Sequence, residues 1–123
     1  ALFRALKRGE AVGILPDQVP PENSGEFAEF FGNPALTMTL LNRLQHKTGA
    51  RVILGFALRT DAGKGGFKVI FRLPDSKTYA EHMPNALAGL NRSIEQAVRE
   101  APEQYQWEYK RFKRQPAGRE RFY

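Results

Sequence analysis

Ala11-Val12-Gly13-Ile14-Leu15-Pro16-Asp17-Gln18 is the stretch on which the reading of the fold turns. Five residues with no strong polar group, bounded by Gly9 and Pro16, read as a short strand buried on both faces, as in a parallel sheet. Pro16 ends it. Asp17 then stands just past the carboxyl end of that strand, where open α/β sheets bind their ligands. A carboxylate there suits a substrate hydroxyl or a cation. The plainer alternative is a turn cap, because Asp after Pro is common in turns.

Upstream, Ala1 to Arg8 read as an amphipathic helix end stopped by Gly9, with no initiator Met before it; the expectation is a chain that begins inside a domain. Downstream, Pro16 to Asn33 reads as a long loop, and long structureless loops within compact domains are usually functional or disordered. Asn33 as cap and Pro34 at the first helical position predict a helix with Leu36, Leu40, Leu41 and Leu44 on one face, ended by Gly49. Arg51 to Arg59 predicts a second strand, apolar on both faces. The segment from Ala11 to Leu58 is therefore expected to form a parallel strand pair with a right-handed crossover. Asp61 to Gly66 reads as a hairpin loop. Phe67 to Leu73 alternates, predicting an antiparallel edge strand with Phe67, Val69, Phe71 and Leu73 on the dry face. Asn85 to Ala101 predicts a helix whose stripe is Leu87, Leu90, Ile94, Ala97, Val98 and Ala101, broken by Pro102.

The 123 residues suffice for one small α/β domain with a core. The absence of cysteine excludes disulfides, thiolate metal sites and cysteine nucleophiles. No apolar run is long enough to cross a bilayer. The net charge of +6 is unevenly placed. Glu10 to Glu29 carries five acidic and no basic residues, whereas Glu108 to Arg121 carries six basic against two acidic. That asymmetry suggests a carboxylate-bearing site and a separate anion-facing end.

Other residues offer weaker signals. Phe30-Phe31-Gly32 can line an apolar pocket, or act as a hydrophobic staple on the next helix. Thr37 in a first helical turn can help to hold an anion. His46, late in a helix, suits the negative end of the dipole, and His82 has no carboxylate partner near it in sequence. Neither has metal-ligand spacing. In the tail, Trp107, Lys110, Arg111, Lys113 and Arg114 interleave rings and cations. The mixture fits an anionic membrane surface, and also base stacking.

Three ordered blocks then carry a resemblance: Leu15-Pro16-Asp17-Gln18, Phe30-Phe31-Gly32-x-Pro34-Ala35-x-Thr37, and Pro102-Glu103-Gln104-Tyr105-Gln106-Trp107 with Arg111-Phe112-Lys113. The chain resembles the late lipid A acyltransferases, lauroyl and myristoyl transferases, and more distantly the glycerolphosphate acyltransferases. In the latter a Pro-Glu-Gly-Thr-Arg block follows a strand, and Asp17 would stand in place of its Glu; the Gly-Thr-Arg part is absent here.

The resemblance implies a glycerolphosphate-acyltransferase-like sheet, with residues 1–123 as the C-terminal part of one acyltransferase domain. It implies an acyl-carrier-protein thioester as donor, a phosphorylated glucosamine disaccharide lipid as acceptor, no cofactor, and a place on the cytoplasmic face of the inner membrane. The family's general base sits in a His-x-x-x-x-Asp/Glu motif upstream of these blocks. That motif is missing here, since His46 and His82 are not followed at that spacing by a carboxylate. Asp17, Gln18, Phe30, Phe31, Gly32 and Thr37 are thus expected in the substrate site, with no catalytic residue in this segment. Trp107, Lys110, Arg111, Lys113 and Arg114 are expected to face membrane or phosphate. The rival reading is a non-enzymatic basic α/β module that binds nucleic acid or another anionic surface. It lacks a nucleic-acid fold signature and leaves the acidic loop without a role.

Overall fold

The computed structural model describes residues 1–60 and 65–123. It is a mixed α/β structure of two antiparallel β-hairpins packed with three helices. A short helix α1 spans Leu2–Lys7. Strands β1 (Gly25–Phe30) and β2 (Asn33–Met38) form the first hairpin, followed by α2 (Leu40–Thr48). Strands β3 (Leu54–Arg59) and β4 (Phe67–Arg72) form the second, and the long α3 (Met83–Glu100) follows. Short 3-10 turns lie at Glu22–Ser24, Ser76–Tyr79 and Pro102–Gln104. Most of the expected Asp61–Gly66 loop falls on 61–64, outside the described residues.

The core lies where α3 crosses the first hairpin. Leu90, Ile94 and Val98 meet Phe30 and Ala35, with Leu41, Tyr105 and Phe112 around them. Of the predicted α3 stripe, Leu87, Leu90, Ile94 and Val98 are buried and Ala97 is partly so, because an apolar residue every third or fourth position puts them on one side; Ala101 is buried just past the helix end. Asn91 and Ser93 also lie on the buried side, and their bonds are internal. Gly89 lets the Ser76–Tyr79 turn lie directly on α3, since a Cβ there would collide with the Thr78 nitrogen.

Several expectations are corrected. Ala11–Leu15 is not a strand and pairs with none among the described residues. Its apolar composition says that it seeks burial, but a strand also needs a neighbour for its backbone groups. Among the described residues the predicted parallel pair is accordingly absent, and both strand pairs are antiparallel. The long loop is shorter than expected, since residues 25–30 are β1 and pair with residues 33–38.

Those same residues, Asn33 to Met38, were the predicted start of a helix. They form a strand because Phe31 and Gly32 both take positive φ, 48° and 74°. Two consecutive left-handed residues make the tight hairpin turn that matches strand twist. Pro34 is tolerated in β2 because a two-stranded ribbon has an unpaired side that does not need its missing N–H. The helix starts after Thr39 instead and stops, as predicted, at Gly49, with φ 68°.

A further correction concerns β4. Its alternation holds, but Phe67, Val69 and Phe71 are 70%, 61% and 68% exposed, so the face expected to be dry is open. Across the ladder the same face carries Gly55 and Ala57, while Leu54, Phe56 and Leu58 on the other face are half-buried towards α3. β3 is thus the alternating strand, rather than one buried on both faces.

Candidate functional site

Between the segment Ile14–Asp17, which turns at Pro16-Asp17, and β3 runs a groove of about 370 Å³. Leu15 and Pro16 form one wall and residues 54–58 the other, with Leu90, Ile94 and Val98 of α3 as the floor. The walls are mostly apolar, as a site for an aliphatic chain requires. Asp17 and Tyr105 stand together along it. The Tyr105 hydroxyl donates to Asp17 Oδ2 at 3.3 Å. Two residues on, the Val19 amide donates to the Tyr109 hydroxyl at 2.9 Å. Two tyrosines four residues apart in the tail therefore hold the Pro16–Val19 turn and orient the carboxylate. Burial first, and then the nearby Asp17 charge and the hydrogen bond to it, push the Tyr105 phenol well above its ordinary range. It stays a neutral donor, which leaves Asp17 as a fixed acceptor facing an apolar space. Such a pair can receive a substrate hydroxyl.

Behind this lies a polar cluster. Arg111 is 3% exposed. Its guanidinium donates to the Leu36 carbonyl at 2.7 Å and to Thr37 Oγ1 at 3.1 Å, and lies 5.4 Å from the centre of the Phe30 ring. Thr37 Oγ1 donates to the Ala35 carbonyl and accepts from Asn91 Nδ2, which also reaches the Glu29 carbonyl. Burial lowers the Arg111 pKa, against the opposing pull of Tyr105, Asp17 and Tyr109. Arg111, expected to face lipid phosphate, is instead an internal tie between the tail and the first hairpin. Thr37, expected in a first helical turn, is a fully buried strand residue with its hydroxyl engaged on both sides.

Phe30 is in the core, 1% exposed. Phe31 sits at the turn, where its amide donates to Glu95 Oε1 at 2.7 Å and its ring meets Phe30, Trp107 and the Arg99 guanidinium. Those contacts hold a non-glycine residue in a left-handed conformation. Gly32 and Gln18 are exposed. The structure thus brings Phe30, Phe31 and Thr37 together around Arg111, with Tyr105 bridging to Asp17 through a 6.5 Å ring contact with Phe30. Trp107, Lys110, Lys113 and Arg114 are exposed. His46 Nε2 hydrogen-bonds the Ala80 carbonyl, and His82 is exposed before α3. No His or carboxylate cluster able to hold a metal occurs among the described residues.

Tyr105, Tyr109, Asn91 and Glu95 escape a reading by sequence alone. Tyr105 lies inside a quoted block but offered no partner, and the signal for Asn91 was an amide on an otherwise apolar helix stripe.

An apolar groove beside an oriented carboxylate is a candidate substrate site. Residues 1–114 match the family model described as bacterial lipid A biosynthesis acyltransferase, and the chain belongs to that family. It is 32% identical over 119 residues to a lipid A biosynthesis palmitoleoyltransferase of Escherichia coli (strain K12), and equally to a lipid A biosynthesis acyltransferase of Shigella flexneri. In both cases 97% of this chain and 39% of the relative is covered. A lipid A biosynthesis lauroyltransferase of Escherichia coli (strain K12) is 31% identical over 118 residues, covering 95% of this chain and 38% of the relative. The chain therefore spans about two fifths of the length of these curated relatives, and corresponds to their C-terminal part.

Proposed function

We propose that the whole protein is an acyltransferase that moves a fatty acyl chain from acyl carrier protein to a lipid A precursor in lipopolysaccharide biosynthesis. In this reading it works at the cytoplasmic face of the inner membrane. No helix among the described residues is long and apolar enough to cross a membrane. Residues 1–123 supply part of the substrate site within a single acyltransferase domain, and the general base belongs to the portion that the relatives carry outside the matched stretch. The same reading assigns β3–β4 to a larger glycerolphosphate-acyltransferase-like sheet, with further elements packed on the open face of β4.

The observation that supports this most is the Asp17–Tyr105 pair on the apolar groove, in a chain of this family. Asp17 accepts a hydrogen bond from the acceptor's hydroxyl-bearing sugar or orients the attacking group, and Gln18 adds a contact at the rim. Phe30, Phe31, Gly32 and Thr37 shape the site from beneath, through the hairpin turn that they build. Trp107, Lys110, Lys113 and Arg114 meet the membrane surface or lipid phosphates.

The test is acyl transfer by the full-length protein with an acyl-carrier-protein donor and a lipid A precursor. Asp17→Asn should lower turnover by at least about tenfold, the scale of one hydrogen bond to a charged group. Tyr105→Phe should act in the same direction but more weakly. Unchanged turnover in Asp17→Asn would remove Asp17 from the site.

A further inference from the structure

The block Pro102-Glu103-Gln104-Tyr105-Gln106-Trp107 borders the apolar groove, and the function proposed above leaves its Gln104 unused. The 3-10 turn Pro102–Gln104 follows α3 directly. It is closed on itself: the Gln104 amide donates to the Ala101 carbonyl at 3.0 Å, and Trp107 Nε1 donates to the Pro102 carbonyl at 2.7 Å. The Trp107 ring packs on Tyr105, with ring centres 4.9 Å apart, and on Phe31 at 5.8 Å.

From this turn two consecutive side chains reach to opposite walls of the groove. Tyr105 donates to Asp17. Gln104 Oε1 accepts from the Arg59 amide at 2.7 Å, and Gln104 Nε2 donates to the Arg59 carbonyl at 3.3 Å. This second grip imitates a strand. The Thr60 amide bonds the Gly66 carbonyl, so the next pair of the antiparallel ladder, Arg59 and Phe67, is a non-hydrogen-bonded one. The N–H and C=O of Arg59 therefore point away from β4, along the edge of β3 that no strand pairs with among the described residues. The Gln104 carboxamide offers an acceptor and a donor, as a peptide group does, and stands where a partner strand would. It fixes the edge at the end of the groove wall without extending the sheet.

We propose that Gln104 is a positioning residue for acyl transfer. The Pro102–Trp107 turn is a bracket that sets the distance between Asp17 and the β3 wall, and with it the acyl chains that the groove accepts. This rests on the acyl-transfer function proposed above. Asp17 holds the acceptor hydroxyl and the β3 wall holds the acyl chain, so their separation decides whether the hydroxyl meets the thioester carbon. An error of about 1 Å in such a placement is enough to slow a reaction markedly. Because Gln104 and Tyr105 are neighbours in the chain, the two walls are tied to each other through a single peptide unit. A wall released from that tie no longer measures chain length.

The test is acyl transfer by the full-length protein with a series of saturated donors on carrier protein, from decanoyl to octadecanoyl. It is run at a temperature where circular dichroism shows every variant folded. The readout is the ratio of kcat/KM between the best and the poorest donor. An inactive fraction of enzyme lowers both values alike, so a purely structural loss leaves this ratio where it was. Gln104→Met keeps the length of the side chain and removes both hydrogen bonds. It should lower kcat/KM for the best donor about tenfold, the scale of two neutral hydrogen bonds, and shrink the ratio at least about threefold. Gln104→Glu keeps the acceptor for the Arg59 amide and loses the donor, and should fall between Gln104→Met and the unaltered protein. Arg72→Ala frees the same hairpin from Glu100 of α3 without touching the bracket, and should leave the ratio within about twofold.

An unmoved ratio in Gln104→Met would overturn the proposal. So would an equal shift in Arg72→Ala, which would mean general loosening of the hairpin, and so would a flat donor profile in the unaltered protein. The two readings fail separately. No transfer from any donor by the unaltered protein overturns the acyl-transfer function and this inference with it, whereas transfer with a ratio that Gln104→Met does not move overturns the bracket alone.

Discussion

The two hairpins have strands of the same length, six residues each, and the same antiparallel pairing, yet they are covered very differently. The first is pinned from inside. α3 lies across it, Asn91 and Glu95 bond its backbone, and Arg111 reaches in from the tail to a β2 carbonyl and hydroxyl. The second is held at its ends. Gln104 exchanges two hydrogen bonds with the Arg59 backbone, and Arg72 pairs with Glu100. One face of it looks onto the groove, and the other shows Phe67, Val69 and Phe71 to solvent. Pairing alone therefore does not make a strand part of a core. What decides is whether another element lies on its face, and a contiguous apolar surface without such an element marks an interaction face.

Substitutions can break or sharpen this contrast. The largest effect is expected from Phe30→Ala in the covered hairpin. It should cost about 3–5 kcal/mol, read as a shift of the urea midpoint. A cost under about 1 kcal/mol would mean that the hairpin is not the centre of the core. Arg111→Ala should come next, at about 2–3 kcal/mol, because it strips a charged donor from the Leu36 carbonyl and Thr37. Arg111→Lys should recover only part of that, as an ammonium cannot span both acceptors. Asn91→Ala should cost about 1–2 kcal/mol through the orphaned Glu29 carbonyl.

Alkaline titration addresses the Tyr105 contact with this side. The folded state keeps the Tyr105 proton at a pH where the unfolded chain loses it. That contribution is fully present below about pH 10 and is lost as pH rises above it. Arg111 acts in the opposite direction, since its lowered value lets the unfolded chain hold the extra proton. Tyr105→Phe should therefore flatten the alkaline fall in stability, while an unchanged slope would place the loss elsewhere. The smallest effect is expected on the open face, where Phe71→Ala should change stability by no more than about 0.5 kcal/mol. A cost near that of Phe30→Ala would show that something covers β4 in the molecule measured.

These contrasts also explain what could be read in advance. The α3 stripe, the Gly49 stop, the alternation of β4 and the Leu15–Asp17 stretch that lines the groove are all local patterns. Asn33-Pro34 misled because its chemistry suits a helix start equally well, and the two left-handed residues before it settled the matter. Phe-Gly does not advertise that turn as Asn-Gly would. Ala11–Leu15 misled because apolarity reports the wish to be buried and says nothing about a partner. Arg111 misled because a cation among cations looks like surface until its two acceptors are known.

Sequence by itself determined the family, through three motif blocks in order, and with it the kind of chemistry to look for. It also determined the helices whose apolar period is unmistakable, and the charge asymmetry between the acidic segment and the basic tail. Only the tertiary structure decided that Tyr105 orients Asp17 across 88 positions of chain and that Arg111 is interior. The division has a physical cause. Periodicity and turn chemistry act between residues a few positions apart, so they are written in the order of the chain. Hydrogen bonds and burial act between residues that only folding brings within reach.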